Sequence, residues 1–510
     1  MMLKLYFLLT FFVAVSYCQD DQECLSRDYG YGGTVCVCNS DHCDTIARPD
    51  KVDQPQYLIY TSNKAGLRFH KDVGEFTTSD SSGNQIVINP DQQYQEIFGW
   101  GGAFTDATGI NIASLDEALQ EKLLRSYFAE DGIEYNVGRV PIGGTDFSTH
   151  GYSYDDGEED LELANFAIAD EDFQYKIPYI KKGIELSESK LELFASAWTA
   201  PKWMKTNGEY AGFGYLKEEA YQTWADYFVK FLDGYQDEDI HFWGITTGNE
   251  PHTILVPGNK INTVGWNATE LGKWIQNNLG PTIRTSDYWD IQIMVHDDQR
   301  LFLPAFVDSV LENQTAADYI DGIAVHWYTD FFTPPSYLTD THDHFPSKFI
   351  ISTEACNEVE AGIGPVVLGS WDRGELYSKD ILEVVTNWGV GWVDWNMVLD
   401  EAGGPTYINN TVDAPIIVNA TGGEFYKQPM FYHMGHFSKF VPRPAVRVET
   451  VTNVTGDVVV AAFHKPSDDG IVVVLLNKEE SVVPISLVDE TRGTAQLELS
   501  EKSITTILYW

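Results

Sequence analysis

The sequence predicts an α/β protein: a (β/α)8 TIM barrel at the centre, with an all-β sandwich built from both chain ends. Two observations lead there. Between residues 97 and 397, eight short apolar runs alternate with mostly amphipathic stretches. Strands alternating with helices imply parallel βα units. At the two ends, over 56–90 and from about 438 onward, short in–out alternating strands are separated by turn residues, the pattern of a sandwich. Neither end has enough strands to bury two sheets alone, so the two are expected to pair.

The barrel strands are expected at 97–103, 135–141, 191–197, 241–247, 291–296, 322–327, 348–353 and 391–396, with helices such as 219–235 and 378–388 between them. Eight units over roughly 300 residues fit a closed barrel. An open doubly wound sheet would place a G-x-G-x-x-G phosphate turn after its first strand. The Gly-rich run from Gly99 to Asp106 lacks that spacing. Sandwich strands are expected at 457–463, 470–477, 483–488, 495–499 and 503–510. The resulting plan is a signal peptide at 1–18, a Cys-rich segment at 19–48, sandwich at 49–92 and 432–510, and barrel at 93–431.

The first 18 residues carry one Lys ahead of an apolar stretch that ends in small residues near Ser16 and Cys18. That is a secretory signal, too short for a good membrane span. Cysteine use agrees with export. Cys24, Cys36, Cys38 and Cys43 crowd together near the start and read as two disulfides of an oxidising compartment. Their C-x-C spacing is poor for zinc, and Cys356 stands alone as a buried thiol. Sequons at Asn267, Asn313, Asn409, Asn419 and Asn453 predict surface glycans. A net charge of −43 argues against a nucleic-acid partner. It fits either plain solubility or an acidic compartment that protonates part of it.

Function in a barrel collects at the C-terminal strand ends, and here nearly all eight end in polar or aromatic side chains. In order they lead to Thr105 and Asp106; Arg139 and Asp146; Trp198 and Trp203; Asn249 and Glu250; His296, Asp297, Asp298 and Arg300; His326, Trp327 and Tyr328; Glu354; and Asp394, Trp395 and Asn396. Each alone has a bland explanation, as a core ring, a salt bridge or a satisfied histidine. Together, Trp, Asn and Asp around two Glu make a sugar site: rings stack on apolar sugar faces and polar groups bond the hydroxyls. Glu250 and Glu354 close apolar runs and supply the paired carboxylates of glycoside hydrolysis. A metal reading through His296, Asp297, Asp298 and His326 lacks a strong ligand spacing. The site is therefore expected to need no metal and no cofactor.

These residues resemble a family. Gly248–Pro251, Ser352–Cys356, Gly99–Asp106 and Trp198–Gly208 look like the glucosylceramidases, the lysosomal acid β-glucosidases of glycoside hydrolase family 30. Ala324–Tyr328, Gly391–Asn396, Asp297–Arg300 and the Cys-rich Tyr29–Cys38 strengthen the likeness, which runs from about Cys24 to the C-terminus. The resemblance implies Glu250 as acid/base, Glu354 as nucleophile and a retaining mechanism. It implies glucose-binding roles for Asp146, Trp203, Asn249, Trp395 and Asn410, with Arg139, Tyr328 and His326 also at the site. It implies the pairings Cys24–Cys36 and Cys38–Cys43, and a small sheet uniting the Cys-rich start with 398–427. Its substrate would be glucosylceramide at an anionic lipid membrane surface in the lysosome, aided by a saposin-like activator.

Two stretches depart from the family pattern: Pro141–Asp146 and the loop Pro251–Lys260. Both line the route of the aglycone and bear on how strongly ceramide is preferred. The competing expectations are an extracellular family member cleaving soluble β-glucans or glucosides, and an inactive carbohydrate-binding protein. Retention of both Glu residues argues against the latter.

Overall fold

The computed structural model describes residues 22–78, 83–358 and 364–510. The expected signal peptide lies outside these residues. Eight parallel strands close into a barrel: β1 (Gly99–Ala103), β2 (Val137–Ile142), β3 (Glu192–Ala197), β4 (Gly244–Thr246), β5 (Gln292–Gln299), β6 (Gly322–His326), β7 (Phe349–Glu354) and β8 (Gly389–Asn396). All eight fall where apolar runs are expected. Such strands are covered by helices outside and by each other inside, so their residues are buried on both faces. Every residue of β1, β2, β4, β6 and β8 is buried. Val137, Phe194, Met294, Ala324, Ile351 and Val393 fill the interior as one cluster. The barrel is thus a plug, and its upper layer is free to become a site.

Nine strands form the sandwich in one hydrogen-bonded order: Gly493–Leu499, Val483–Asp489, Gln85–Glu96, Val446–Thr452, Val458–Lys465, Gly470–Asn477, Ser503–Tyr509, Gln56–Asn63 and His70–Glu75. Both chain ends contribute, as expected. Thr77 and Thr494 exchange backbone hydrogen bonds of 2.9 and 2.8 Å, which brings the two edges of the folded-over sheet together. Ile86, Ile88, Val473, Leu475, Ile485, Leu487 and Ile507 fill the space between the layers.

Two boundaries differ from expectation. Gln85–Glu96 is a single long strand that runs past 92 to the threshold of β1. The boundary at 432 falls inside a helix, Pro429–Ser438, all ten of whose residues are buried. Pro429 suits the first helical position, where no amide donor is needed. The helix wedges between barrel and sandwich. Phe437 packs on Trp100 of β1, and His436 bridges Thr506 (2.8 Å) and Ser62 (2.9 Å) of the sandwich.

A five-stranded sheet joins Ser26–Asp28, Thr34–Asn39, Glu424–Lys427, Ile416–Asn419 and Val398–Asp400, in that order. It unites the Cys-rich start with the segment after β8. Disulfides join Cys24 to Cys36 and Cys38 to Cys43, and Cys356 is free and buried. Of the sequon asparagines, Asn267, Asn313, Asn409 and Asn453 are exposed, whereas Asn419 is half-buried and donates to the Tyr426 hydroxyl at 3.0 Å. No helix among the described residues is long and apolar enough to cross a membrane.

Candidate active site

The C-terminal strand ends enclose a cavity of about 340 Å³, lined by Asp146, Asn249, Glu250, Tyr328, Glu354, Trp395 and Asn410 among others. These are seven of the ten expected site residues. Arg139 and His326 lie directly beneath them, fully buried. The tenth, Trp203, does not line the cavity. It is half-buried in the loop after β3, and its indole donates to the Asp155 carbonyl at 2.9 Å. Trp198 takes the expected place, with its ring stacked on Trp395 at 4.9 Å between centroids and 20° between planes. Trp198 immediately follows the end of β3, so the barrel geometry itself aims it at the mouth.

Glu354 is the last residue of β7, and its side chain meets Arg139 in a buried ion pair. The Tyr328 hydroxyl donates to its other oxygen at 2.9 Å. Burial lifts the pKa of Glu354, with His326 and Arg139 working against that lift. Glu250 follows β4 through Gly248, whose φ of +130° disfavours any side chain. On Glu250, Oε1 accepts from Gln299 at 2.7 Å and faces His326 Nδ1 at 2.9 Å, and Oε2 accepts from Thr253 at 2.9 Å. Glu250, His296 and Asp297 all have positive φ (42°, 85° and 48°). Such backbone costs roughly 1–3 kcal/mol per residue and persists where surrounding structure enforces it, typically at functional sites. The enforcement here includes a hydrogen bond from the Glu250 amide to the Asp297 carbonyl, 2.9 Å long.

Asp297 organises the floor. It accepts from Arg139 (2.9 Å), Ser196 (2.6 Å), Thr246 (2.8 Å) and Thr353 (2.7 Å), and faces His326 Nε2 at 3.1 Å. Burial alone would raise its pKa, but Arg139, His326 and Ser196 hold it well below the ordinary carboxylate range. His326 thus has a carboxylate at each ring nitrogen. Burial opposes its charging, yet Glu354, Asp297 and Glu250 outweigh that and push its pKa up to about 10. The ring is an imidazolium that donates twice. On the far wall Asn410 donates to Asp146 at 2.8 Å, and burial pushes Asp146 up to about 7 despite that bond.

Glu250, His326 and Glu354 each offer a ligand atom, all within 4.8 Å of one another, close enough to reach one ion. Their bonds point to a proton network instead, because both His326 nitrogens face carboxylates and Glu354 carries Arg139.

A closed parallel barrel with two Glu at the ends of β4 and β7, in one cavity with paired Trp rings, defines a barrel glycosidase. Comparison with known proteins gives the family. Residues 97–441 match the glycosyl hydrolase family 30 TIM-barrel domain, and residues 445–507 match the family 30 beta sandwich domain. A Caenorhabditis elegans relative named among the glucosylceramidases (glucosylceramidase 4) is 43% identical over 94% of this chain and 93% of its own. The lysosomal acid glucosylceramidase of Mus musculus is 41% identical over 98% of each chain. In structure, SrfJ from Salmonella typhimurium superposes with a TM-score of 0.83 over 89% of this chain and 99% of its own, at 24% identity. The chain belongs to glycoside hydrolase family 30.

Proposed function

We propose that this protein is a retaining β-glucosidase that hydrolyses glucosylceramide to glucose and ceramide. The carboxylate pair carries the proposal. An oxygen of Glu250 and one of Glu354 lie no more than 4.8 Å apart. Retaining enzymes hold their two carboxyl groups about 5–5.5 Å apart, while inverting ones leave room for a water at about 6.5–9.5 Å.

Glu354 attacks the anomeric carbon while Glu250 protonates the departing ceramide oxygen. Two donors occupy Oε1 of Glu250, whereas Oε2 meets only the rotatable Thr253 hydroxyl, so Oε2 is the oxygen that carries the proton. The surrounding charges balance in both halves of the reaction. Before attack, Arg139 and His326 oppose Asp297 and ionised Glu354, with Glu250 neutral. After attack Glu354 is an ester and Glu250 carries the negative charge, so the buried cluster stays neutral. Glu250 then takes a proton from the water that releases glucose. Arg139 occupies the Asn249 carbonyl oxygen at 2.8 Å, leaving its amide to donate to a sugar hydroxyl. Asp146, protonated at acidic pH, and Asn410 hold the opposite side of the ring.

The rim supports a lipid substrate. Leu255, Val256, Leu301, Phe331 and Phe332 are exposed on the loops after β4, β5 and β6, with Phe331 84% accessible. Exposed apolar side chains around a mouth suit a bilayer surface. The surface taken here is anionic, in a lysosome, with a saposin-like activator. A chain of charge −43 approaches anionic lipid only when acid neutralises part of that charge. The lysosomal name of the mouse relative favours the same compartment, and the disulfides fit passage through the secretory pathway. Glycans at the exposed sequons belong to this reading.

The test is hydrolysis of glucosylceramide and of a soluble aryl β-glucoside at acidic pH, with and without anionic vesicles. Vesicle-stimulated release of ceramide is expected. Cleavage of the aryl glucoside alone would favour a β-glucosidase of soluble substrates.

A further inference from the structure

We infer that His252, oriented by Asp298, is a hydrogen-bonding station for a hydroxyl of the aglycone and so tunes which glucosides are preferred. The inference rests on the glucosidase reading above and adds a specificity residue to it.

His252 lies two positions after Glu250, on the turn Pro251–Leu255, and lines the catalytic cavity together with Asp298, Thr253, Val256 and Phe302. Its ring is clamped: it stacks on Phe302 at 3.9 Å and 16°, and its edge meets Phe306 at 4.5 Å and 74°. Asp298 Oδ2 takes both the His252 amide (3.0 Å) and Nδ1 (2.8 Å). Asp298 is an acceptor held below the ordinary carboxylate range; burial opposes its ionisation, and His252 and His296 outweigh that burial. Nδ1 must therefore carry a proton, which fixes the tautomer.

That leaves Nε2. It has no hydrogen-bond partner among the described residues, and the side chain keeps 15% of its surface accessible. Neutral, Nε2 accepts; protonated, it donates. A hydroxyl satisfies both states, whereas an amide N–H or a carbonyl satisfies only one. The position suits a leaving group. Glu250 and Thr253 lie on the same loop, where the departing oxygen receives its proton, and Val256 and Phe302 continue the wall with apolar surface. The alcohol that fits is amphiphilic: an apolar chain with one hydroxyl near the glycosidic oxygen, as a sphingoid base carries on its third carbon.

The experiment compares octyl β-glucoside with its 3-hydroxyoctyl counterpart, in the wild type and in the variants H252N and H252Q. Asn keeps an amide near Nδ1 and the bond to Asp298 but does not reach the place of Nε2; Gln puts an amide near Nε2. In H252N, kcat/KM for the hydroxylated glucoside should fall about tenfold, near the upper end for one hydrogen bond. The plain octyl glucoside should change less than about twofold, and H252Q should recover most of the loss. Equal losses on both glucosides would overturn the inference and make His252 a brace for the Glu250 loop, as would H252Q performing no better than H252N. Glucosylceramide is assayed alongside. Its failure as a wild-type substrate, with both alkyl glucosides cleaved, would overturn the substrate reading and leave the His252 comparison valid.

Discussion

Two buried charge clusters occupy the same end of the barrel, and only one is open. In the first, Arg139 joins Asp297, Glu354 and His326 under the cavity. In the second, Lys176 lies 3.1 Å from Asp172 and 3.4 Å from Asp106. Lys176 also donates to the carbonyls of Pro141 and Gly143 at 3.3 and 3.2 Å, and to Tyr152 at 3.2 Å. Hydroxyls of Tyr154 and Tyr235 both donate to Asp172 Oδ1, at 2.7 and 2.6 Å. Both clusters hold a fully buried cation between acids. The Lys176 cluster is roofed by tyrosine rings and lines no part of the catalytic cavity. Buried charge therefore does not mark a reactive centre by itself. What marks the first cluster is an open cavity, two carboxylates that line it, and backbone held at positive φ.

The contrast can be broken by substitution. Glu354→Gln should reduce turnover of an aryl glucoside by on the order of 10⁴-fold or more while substrate binding survives; near-wild-type turnover would remove Glu354 as nucleophile. Glu250→Gln should cost about 10²–10⁴-fold with a poor leaving group and far less with dinitrophenolate. Azide should restore rate and yield β-glucosyl azide, and no rescue would count against the acid/base role. Lys176→Met should act oppositely, destabilising the fold by about 3–5 kcal/mol through the unpaired acids it leaves. Its kcat at permissive temperature should hold near wild type, as read by thermal melts and kinetics side by side. A stable Lys176→Met protein without activity would erase the distinction between the clusters.

The smallest effect is on stability against pH. Burial raises Asp146 to about 7, and also raises Asp394 and Glu354. A carboxyl whose folded pKa is raised binds its proton more tightly in the folded state, so stability falls as pH climbs from the unfolded value through the folded one. Buried His296 and His436, lowered to about 4 and 3, contribute the opposite slope up to their ordinary value of 6.5. The decline in melting temperature is therefore expected between about pH 6.5 and 7.5. Asp297, held low, contributes the opposite slope only in strong acid. A melting temperature that rises between about pH 6.5 and 7.5 would contradict these assignments. Activity has the opposite dependence on its acid side, failing as pH drops through the raised pKa of Glu354 and protonates the nucleophile.

The barrel was legible because its strands are buried on both faces and appear as unbroken apolar runs. Glu250 and Glu354 were legible because each ends such a run. The helix Pro429–Ser438 was not, since it is buried all round and shows no polar face to reveal a helical period. Trp198 and Trp203 are five residues apart on one loop, and composition does not say which turns inward; the end of β3 at Ala197 does. Asp297 was visible as a strand-end acid, but its role as hub depends on Ser196, Thr246 and Thr353 from three other strands. Only folding brings those hydroxyls together. His252 gave no signal beyond its place in a departing loop.

The Glu250–Glu354 pair is tested most directly by proton NMR of the sugar as it is first released from a β-glucoside, before mutarotation. A retaining pair predicts β-glucose as the first product. Initial release of α-glucose would contradict it, and would require the two carboxylates to act across a water rather than through a glucosyl ester on Glu354.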